Sequence, residues 1–333
     1  MSELRSLQAE WNALVPVAHS LGIYSGVRIL RSTHENTGIG RRRVAELRAR
    51  IEARQPTATA PFVAPGAQGD TFGVEIEVIM PSGLSHYGLA QAITAAGVAC
   101  EAQRYNHQLI TTWKVVQDGS LGSHITGAEV VSPILTGEAG FATMAKVMDA
   151  MTAAGCKITK RCGFHVHVGA RRENVHFFRS LARIYRKFDA AINSVLAPSR
   201  TSNDFCHAHI INETRLEAAT SIDEVTRAVG QMPGRDYIRS SYRYRKLNFC
   251  SFFQHGTVEF RQHQGSTDAR KAAYWVRFCL AMVAAARRNP DLSLYNDSLD
   301  ALMTLTESPT DARAYFNSRV AVFAARATSR RTA

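Results

Sequence analysis

Three short segments of the chain alternate apolar with polar residues, which is the pattern of half-buried β-strands. They run over residues 72–78, 162–169 and 258–263. One face of each segment is made mostly of Val, Ile and Phe. The other face carries carboxylates, imidazoles or a guanidinium, where an ordinary exposed face carries Thr, Ser or Lys. We therefore predict that the three strands form the floor of one polar site.

These polar faces supply most of the candidate site residues, because side chains two positions apart on a strand point the same way. Strand by strand, they are Glu75 and Glu77; His165 and His167; and Glu259, Arg261 and His263. A further carboxylate, Glu129, lies in a predicted strand over 129–133 that ends at Pro133. Several carboxylates beside histidines favour a hard cation, Mg²⁺ or Mn²⁺, which is often shared with substrate phosphates. A zinc site at His165 and His167 also stays open.

Helical periodicity predicts the other large elements. Apolar faces with a spacing of three and four residues indicate helices over 141–154 and 174–196. Asp268 is expected to cap a helix that runs to Arg288. Short strands separated by helices and long connections indicate an α+β fold, in which helices cover one face of a mainly antiparallel sheet.

The N-terminal part of the chain differs in composition from the rest. Residues 1–54 are predicted to be a basic helical extension, and residues 55–69, with three prolines and no charge, a linker. The catalytic domain is expected over 70–333. Six arginines between positions 41 and 54 outnumber the two acids there, and the whole chain carries a net charge of +12. Residues 28–54 are therefore expected to bind an acidic partner or a nucleic acid.

Composition narrows the class of protein. With 45% hydrophobic and 20% charged residues, the chain is typical of globular proteins. Its longest apolar run, 278–286, is too short to span a bilayer, and no apolar stretch follows the N-terminal charges. We therefore expect a cytoplasmic protein without a signal peptide or membrane contact. The six cysteines contain no Cys-x-x-Cys pair and are predicted to be free thiols.

Further motifs limit the chemistry. The chain has no Gly-x-x-x-x-Gly-Lys-Ser/Thr loop, so a P-loop does not bind phosphate here. Arg261, one alternation from Glu259, can clamp a phosphoryl group or a carboxylate through its planar guanidinium. A Cys-His-Ala-His run at 206–209 has the residue types of a nucleophile–base pair or a metal patch. It is interpreted as an ordinary loop, because nothing else in the sequence supports either role.

The order of these motifs resembles that of the amidoligases, which are carboxylate–amine ligases of the glutamine synthetase and glutamate–cysteine ligase superfamily. The resemblance covers roughly residues 70–290 and rests on an ordered set of segments. The segments are Gly-Val-Glu-Ile-Glu at 73–77, Asp-Gly-Ser-Leu at 118–121 with 127–133, Cys-Gly-Phe-His-Val-His-Val at 162–168, 244–248 and 256–266. One departure follows the third strand, where the family's Gly-Thr is replaced by Gly265-Ser266-Thr267.

The resemblance implies a glutamine synthetase-like curved antiparallel sheet whose concave polar face holds ATP and two or more Mg²⁺ ions. It also implies that a carboxylate substrate and an amine substrate are joined through an acyl-phosphate intermediate. By the same resemblance the metal ligands are Glu75, Glu77, Glu129, His165 and Glu259; the catalytic residues are Arg261, Asp118 and His167; and the cofactor-binding residues are Arg261, Asn248 and His263. The resemblance does not identify the acid or the amine.

Two other functions stay open at this point. The same carboxylate–histidine floor suits a metal-dependent hydrolase of phosphoesters or amides. The basic N-terminal helix suits a nucleic-acid-binding protein. ATP consumption that depends on an added amine separates the ligase from the hydrolase, and salt-dependent DNA binding that is lost with residues 1–66 would support the third function.

Overall fold

The structure, a computed structural model, describes residues 7–12, 14, 15, 18, 37–54, 70–106, 108–121, 126–201, 203–234 and 241–331. The chain divides into two compact units. One comprises residues 1–60, 192–196 and 309–333, and the other comprises residues 61–191 and 197–308. Every candidate site residue belongs to the second unit. The predicted linker over 55–69 lies outside the described residues.

The second unit is built on an eight-stranded, mostly antiparallel sheet. Its strands are β1 (Thr71–Ile79), β2 (Cys100–Ala102), β3 (Trp113–Gln117), β4 (Gly127–Val131), β5 (Leu135–Thr136), β6 (Gly163–Gly169), β7 (Leu247–Asn248) and β8 (Thr257–Gln264). Their spatial order is β2-β3-β4-β1-β6-β8-β7, with β5 paired to β1 and with β2 and β3 running parallel. The three segments predicted as the floor are therefore direct neighbours, as β1, β6 and β8.

Helices and 3₁₀ turns make up much of the remaining described chain. The helices are α1 (Thr37–Arg54), α2 (His86–Ala95), α3 (Gly137–Ala153), α4 (Val175–Lys187), α5 (Asp189–Ser194), α6 (Glu213–Ala218), α7 (Ile222–Ala228), α8 (Cys250–His255), α9 (Ala269–Arg287), α10 (Leu299–Leu305) and α11 (Thr310–Arg331). The 3₁₀ turns are Gly119–Leu121, Pro198–Arg200, Ser241–Arg243 and Leu292–Leu294. No helix among the described residues combines the length and the apolar character that crossing a membrane requires.

Helices pack on the apolar face of the sheet. The ring of Phe141 in α3 lies 4.8 Å from that of Phe72 in β1, measured between centroids. The ring of Tyr185 in α4 lies 6.0 Å from that of Phe260 in β8. Phe72 and Phe260 are even-numbered residues of their strands, so the odd-numbered residues with the candidate chemistry project from the opposite face. The fold is thus a mixed one, with a mostly antiparallel sheet backed by helices.

The predicted helix ends agree with the structure in one case and differ from it in another. Asp268 caps α9 as predicted, because its side chain accepts a hydrogen bond from Lys271 N at 3.0 Å. The prediction of one helix over 174–196 is wrong, since α4 and α5 share this stretch with Phe188 between them. Phe188 has φ −102° and ψ 16°, which ends the helix although the apolar spacing continues.

In the first unit, N-terminal helical residues pack with α1. The residues buried in this cluster are Leu7, Trp11, Leu14, Ala18, Val44 and Leu47. Ala321 of α11 packs against the same cluster, and Arg48 pairs with Glu10. These residues are helical where the structure describes them, whereas the separate role predicted for residues 1–54 stays a prediction.

Candidate active site

Cross-strand pairing in the centre of the sheet brings predicted site residues together. β1 and β4 pair so that Glu77 lies opposite Glu129. β1 and β6 pair so that Glu75 lies opposite His165. Residues directly opposite one another in an antiparallel pair point to the same side of the sheet. The side chains of these four residues therefore share one face.

The pairing of β6, β7 and β8 extends this polar face. His167 and Asn248 lie opposite Glu259, one on each neighbouring strand. Asn248 Nδ2 donates to Glu259 Oε2 at 2.6 Å, and Arg261 Nη1 donates to Glu259 Oε1. Both oxygens of the buried Glu259 carboxylate are thus held by neighbouring side chains, which fixes the orientation of the carboxylate.

Glu75 lies between the two histidines. Its Oε2 is 3.0 Å from His165 Nδ1, and its Oε1 is 3.4 Å from His167 Nε2. Both imidazoles also approach the next carboxylate, because Glu259 Oε1 is 3.8 Å from His165 Nδ1 and 3.8 Å from His167 Nε2. Imidazoles and carboxylates therefore alternate across β1, β6 and β8.

Two sets of three ligand atoms lie close enough together to hold a metal ion. One set comes from Glu75, Glu129 and His165, the other from Glu75, His167 and Glu259, and the atoms of each set lie within 4.8 Å of one another. Glu75 belongs to both sets. His167 Nε2 is buried and makes no hydrogen bond of ordinary geometry with the described residues. A buried nitrogen without a hydrogen bond that faces two carboxylates suits a bound cation, so these residues fit a metal.

Hydroxyl groups orient the imidazole of His167. Its Nδ1 lies 2.9 Å from Thr257 Oγ1 and 3.2 Å from Ser251 Oγ, and the two hydroxyl oxygens are 2.7 Å apart. Histidines that bind metals commonly use their second ring nitrogen in this way. The contacts leave Nε2 directed at the carboxylates of the floor.

Glu77 has different surroundings from the other carboxylates. Its Oε2 accepts a hydrogen bond from Gly163 N at 2.6 Å, and its Oε1 is 3.6 Å from His165 Nε2. It belongs to neither set of ligand atoms. A Cβ on Gly163 would lie 2.8 Å from His165 Nε2 and 3.1 Å from Arg200 Nη2, so only glycine fits here without displacing these groups. The metal-binding role of Glu77 stays a prediction.

A β-bulge separates His263 from the other predicted residues. The pairing of β6 and β8 shifts by one residue, so that Arg261 and Gln262 together lie opposite His165. Beyond the bulge, the ring of His263 lies 5.2 Å from that of Trp275 in α9, which packs behind the sheet. His263 was expected to contact the cofactor because alternate residues of a regular strand would place it on the same face as Glu259 and Arg261. The bulge breaks that alternation, so the structure does not bring His263 to the polar face.

Burial and the neighbouring carboxylates disfavour the charged form of Glu129. Burial raises its pKa well above the ordinary value, and the charges of Glu75, Glu77 and Asp118 raise it further, while Arg261 acts in the opposite direction. Such a carboxyl holds a proton more readily than a free one. A cation bound beside it would relieve the same repulsion.

The other charged groups of the floor stabilise one another. Burial would raise the pKa of Glu75, but contacts with His165 and His167 lower it well below its ordinary value. Burial would also raise the pKa of Glu259, but the charges of Arg261 and His167 lower it. The pKa of His167 is raised, because Glu259 and Glu75 outweigh the effect of burial. The floor therefore favours charged carboxylates beside a histidine that gains a proton readily.

The polar face is the floor of a cavity of about 860 Å³. The predicted site residues that line it are Glu75, Glu77, Asp118, Glu129, His165, His167, Asn248, Glu259 and Arg261. The exposed apolar side chains of Tyr105, Leu109 and Ile134 line it as well. This volume is in the upper part of the range for sites that bind small molecules and cofactors.

Sequence reasoning missed several residues of the cavity wall, of which Lys114 is the clearest. Lys114 is 3% exposed, and its Nζ donates to Asn106 O at 3.2 Å, Asn106 Oδ1 at 3.0 Å and Gln108 O at 2.7 Å. Burial lowers its pKa, against the charges of Glu129 and Glu75. A lysine inside the mostly apolar strand β3 was the available signal. Arg200 also lines the cavity, and no sequence pattern marks it. Tyr244, which lines it too, belongs to the segment 244–248 that carried the resemblance, and Arg243 directly precedes that segment.

The Cys-His-Ala-His run does not form a reactive pair in the structure. Cys206 is fully buried, its Sγ donates to Arg200 O at 3.4 Å, and burial raises the pKa of its thiol. His209 Nε2 accepts a hydrogen bond from Leu247 N at 3.2 Å. Burial and then Arg245 lower the pKa of His209 to about 4. A buried thiol with a raised pKa is a poor nucleophile, which agrees with the interpretation as a structural loop.

All six cysteines are free thiols, as predicted. Five are buried and Cys100 is half-buried. Burial raises the pKa of Cys100 to about 12 and those of Cys156 and Cys250 to about 11. The pKa values of Cys162, Cys206 and Cys279 are raised by burial as well.

A mostly antiparallel sheet whose carboxylates and histidines line a large cavity defines an enzyme-type site. The family model described as "Putative amidoligase enzyme" matches residues 68–283, which is more than half of the chain and includes every candidate site residue. The chain therefore belongs to this amidoligase family, as the order of its motifs indicated, and is a ligase-type enzyme. No curated protein matches the chain.

Proposed function

We propose that this chain is an ATP- and Mg²⁺-dependent ligase that joins a carboxylate to an amine through an acyl phosphate. The observation that carries the proposal is the pair of ligand-atom sets that share Glu75 and lie beside Arg261 in one cavity. Phosphoryl transfer needs reactants held in position and negative charge neutralised by cations, more than it needs a protein nucleophile. The residues of this cavity suit those two tasks.

Two Mg²⁺ ions can be assigned to the two sets of ligand atoms. Glu75, Glu129 and His165 would hold one ion, and Glu75, His167 and Glu259 the other, with Mn²⁺ suiting the same donors. Bound metal would supply positive charge to the phosphate oxygens of ATP. Asn248 holds Glu259 through its amide, so in this proposal it positions a ligand.

The proposed reaction has two steps. A carboxylate oxygen of the acid attacks the terminal phosphorus of ATP, the bond from that phosphorus to the ADP oxygen breaks, and an acyl phosphate forms. The amine nitrogen then attacks the acyl carbon, the bond to phosphate breaks, and an amide and inorganic phosphate result. The nitrogen loses a proton in this step. We assign Asp118, on the cavity wall, to the incoming amine.

Arg261 is assigned to the phosphoryl group. It is 9% exposed, lies over the ring of Tyr244 at 5.7 Å, and donates to Glu259. Burial opposes its charge, but Glu259 and Glu75 raise the pKa of its guanidinium, so it stays a cation. Its planar fork matches two oxygens of a phosphoryl group at once.

Release of ADP by the purified full-length protein tests the proposal. Pooled amino acids, peptides and polyamines serve as acids and amines, with and without Mg²⁺. We expect release that requires Mg²⁺ and increases when an amine is added. Cleavage of a phosphoester or amide in the absence of ATP would favour the metal-dependent hydrolase instead.

Glu75→Gln should lower Mg²⁺-dependent ADP release by about 100-fold or more, because both sets of ligand atoms lose a charged member. The melting temperature should change little, since the substitution keeps the shape of the side chain. Glu217→Gln is the control, because Glu217 is 54% exposed on α6. Activity of Glu75→Gln equal to that of Glu217→Gln would exclude the assigned metal sites.

Arg261→Lys keeps the charge but loses the planar fork, so ADP release should fall by about 100-fold. The readout is kcat with saturating ATP, compared with the KM for ATP. If the variant has wild-type kcat, the phosphoryl group must be bound by another cation of the cavity wall, such as Arg243.

A further inference from the structure

Arg200 is a buried cation that forms no ion pair with the residues described by the structure. It ends the turn Pro198–Arg200, is 1% exposed and lines the cavity. Its Nη2 donates to the backbone oxygen of Arg261 at 2.7 Å, whereas its Nε is buried and has no hydrogen-bond partner in the described part of the chain. Among the residues that the structure describes, no carboxylate forms an ion pair with its guanidinium. Arg200 therefore has no direct acidic partner among the described residues.

Other buried arginines of the same unit have acidic partners. Arg277 is 4% exposed, and its Nη1 and Nη2 donate to the two oxygens of Glu138 at 2.9 Å and 2.8 Å. Arg261 donates to Glu259. An unpaired guanidinium out of water costs free energy, and a bound anion can provide the missing opposite charge.

The neighbours of the Arg200 guanidinium show which part of the cavity it lines. Arg200 Nη2 donates to the backbone oxygen of Arg261 in β8, so the two arginines are in direct contact. The same Nη2 lies 3.1 Å from the point where a Gly163 Cβ would stand, and His165 Nε2 lies 2.8 Å from that point. Arg200 thus borders both the arginine assigned to the phosphoryl group and the histidine of one ligand set.

We propose that Arg200 is a second cation for the transferred phosphoryl group and binds it together with Arg261. This inference rests on the proposed ligase function. A phosphoryl group in transfer spreads its charge over three oxygens, so two guanidinium groups can each bind different oxygens. A substrate carboxylate offers similar oxygens, and the experiment below separates these two sources.

The test is thermal unfolding of the full-length chain in Mg²⁺-containing buffer, with inorganic phosphate or with acetate at equal ionic strength. Arg200→Met replaces the guanidinium with an apolar side chain. The variant loses a buried charge but also the donor to the backbone oxygen of Arg261, so each protein is compared with itself, with and without added anion. Phosphate should raise the melting temperature of the wild type but not of the variant, since binding to the folded state stabilises it. Acetate should have no such effect on either protein.

Arg277→Met is the matched control, because it removes a buried arginine that has a partner and lies outside the cavity lining. It should melt lower than the wild type and keep the stabilisation by phosphate. If Arg200→Met does not fold, Arg200→Lys takes its place. That variant should lose most of the stabilisation by phosphate, since an ammonium cannot reproduce the planar fork.

Three results would overturn the proposal. Phosphate could still stabilise the Arg200 variant, phosphate stabilisation could vanish equally in Arg277→Met, or acetate could replace phosphate as the stabilising anion. The last result would assign Arg200 to a carboxylate. The ligase proposal fails separately: if phosphate binds through Arg200 but no combination of acid and amine releases ADP, the anion site stands without the proposed reaction.

Discussion

At the scale of the residue, the floor of the cavity depends on close approaches that residue type alone does not reveal. Gly163 donates its N–H to Glu77 and leaves room for His165 Nε2 and Arg200 Nη2. In the sequence it is simply the first residue of an alternating strand. The alternation predicted which functional groups share a face, because that follows from strand geometry. It could not predict Arg200, which reaches the floor from a turn distant in sequence.

Gly163→Ala should therefore disturb the site more than the fold. The new Cβ must displace His165, Arg200 or both, so we expect ADP release to fall by at least about 10-fold. Gly119→Ala is the control, because nothing lies within 4 Å of a Cβ at that position. Steady-state rates and melting temperatures of the two variants should be compared with the wild type. Equal rates for both variants would mean that the packing around Gly163 is not needed for activity.

At the scale of the element, sequence predicts what is long and periodic. β1, β6 and β8 alternate over seven to nine residues, and their apolar faces made them recognisable. β5 and β7 have two residues each and cannot show a period. The bulge in β8 is one added residue, and the break at Phe188 is a change of backbone angle. Neither changes the hydrophobic pattern, so neither was predictable from it.

The N-terminus of α4 gives a test of element stability. Asn174 accepts hydrogen bonds from His176 N at 3.0 Å and Phe177 N at 3.3 Å, which satisfies two otherwise free donors. Asn174→Ala should lower the free energy of unfolding by about 1 kcal/mol. Thr136 occupies the same position before α3 but makes no capping hydrogen bond with its side chain. Thr136→Ala should thus have a much smaller effect in the same denaturant titration.

At the scale of the whole molecule, the site belongs to one compact unit, and the stability of that unit should depend on pH through His209. Its pKa is about 4 in the folded chain, against about 6.5 for an unfolded one. Above the higher value both states are neutral and His209 has no effect. Between the two values the unfolded chain binds a proton that the folded chain does not, so stability falls as the pH falls. The loss levels off below the lower value.

His209→Gln should remove this dependence, since a glutamine oxygen can still accept the hydrogen bond from Leu247 N. Urea titrations at about pH 7 and about pH 4.5 should show a loss of roughly 1–3 kcal/mol in the wild type that is missing from the variant. The difference between the two proteins isolates His209 from the other groups that titrate in this range. Parallel losses in both proteins would mean that His209 accepts its proton without opening the structure.

The buried thiols have a consequence for how the motions of this chain can be followed. Alkylation requires a thiolate in contact with the reagent. In the folded protein the buried cysteines are shielded from the reagent, and their raised pKa values keep them as neutral thiols. The rate at which each cysteine is labelled then measures how often its surroundings open. Cys206 directly follows Phe205 of the cavity wall, and Cys250 lies two residues after Asn248 of that wall, whereas Cys279 lies in α9 behind the sheet. Without any engineered label, the natural sequence therefore carries separate reporters for opening around the cavity and for opening of the helix layer.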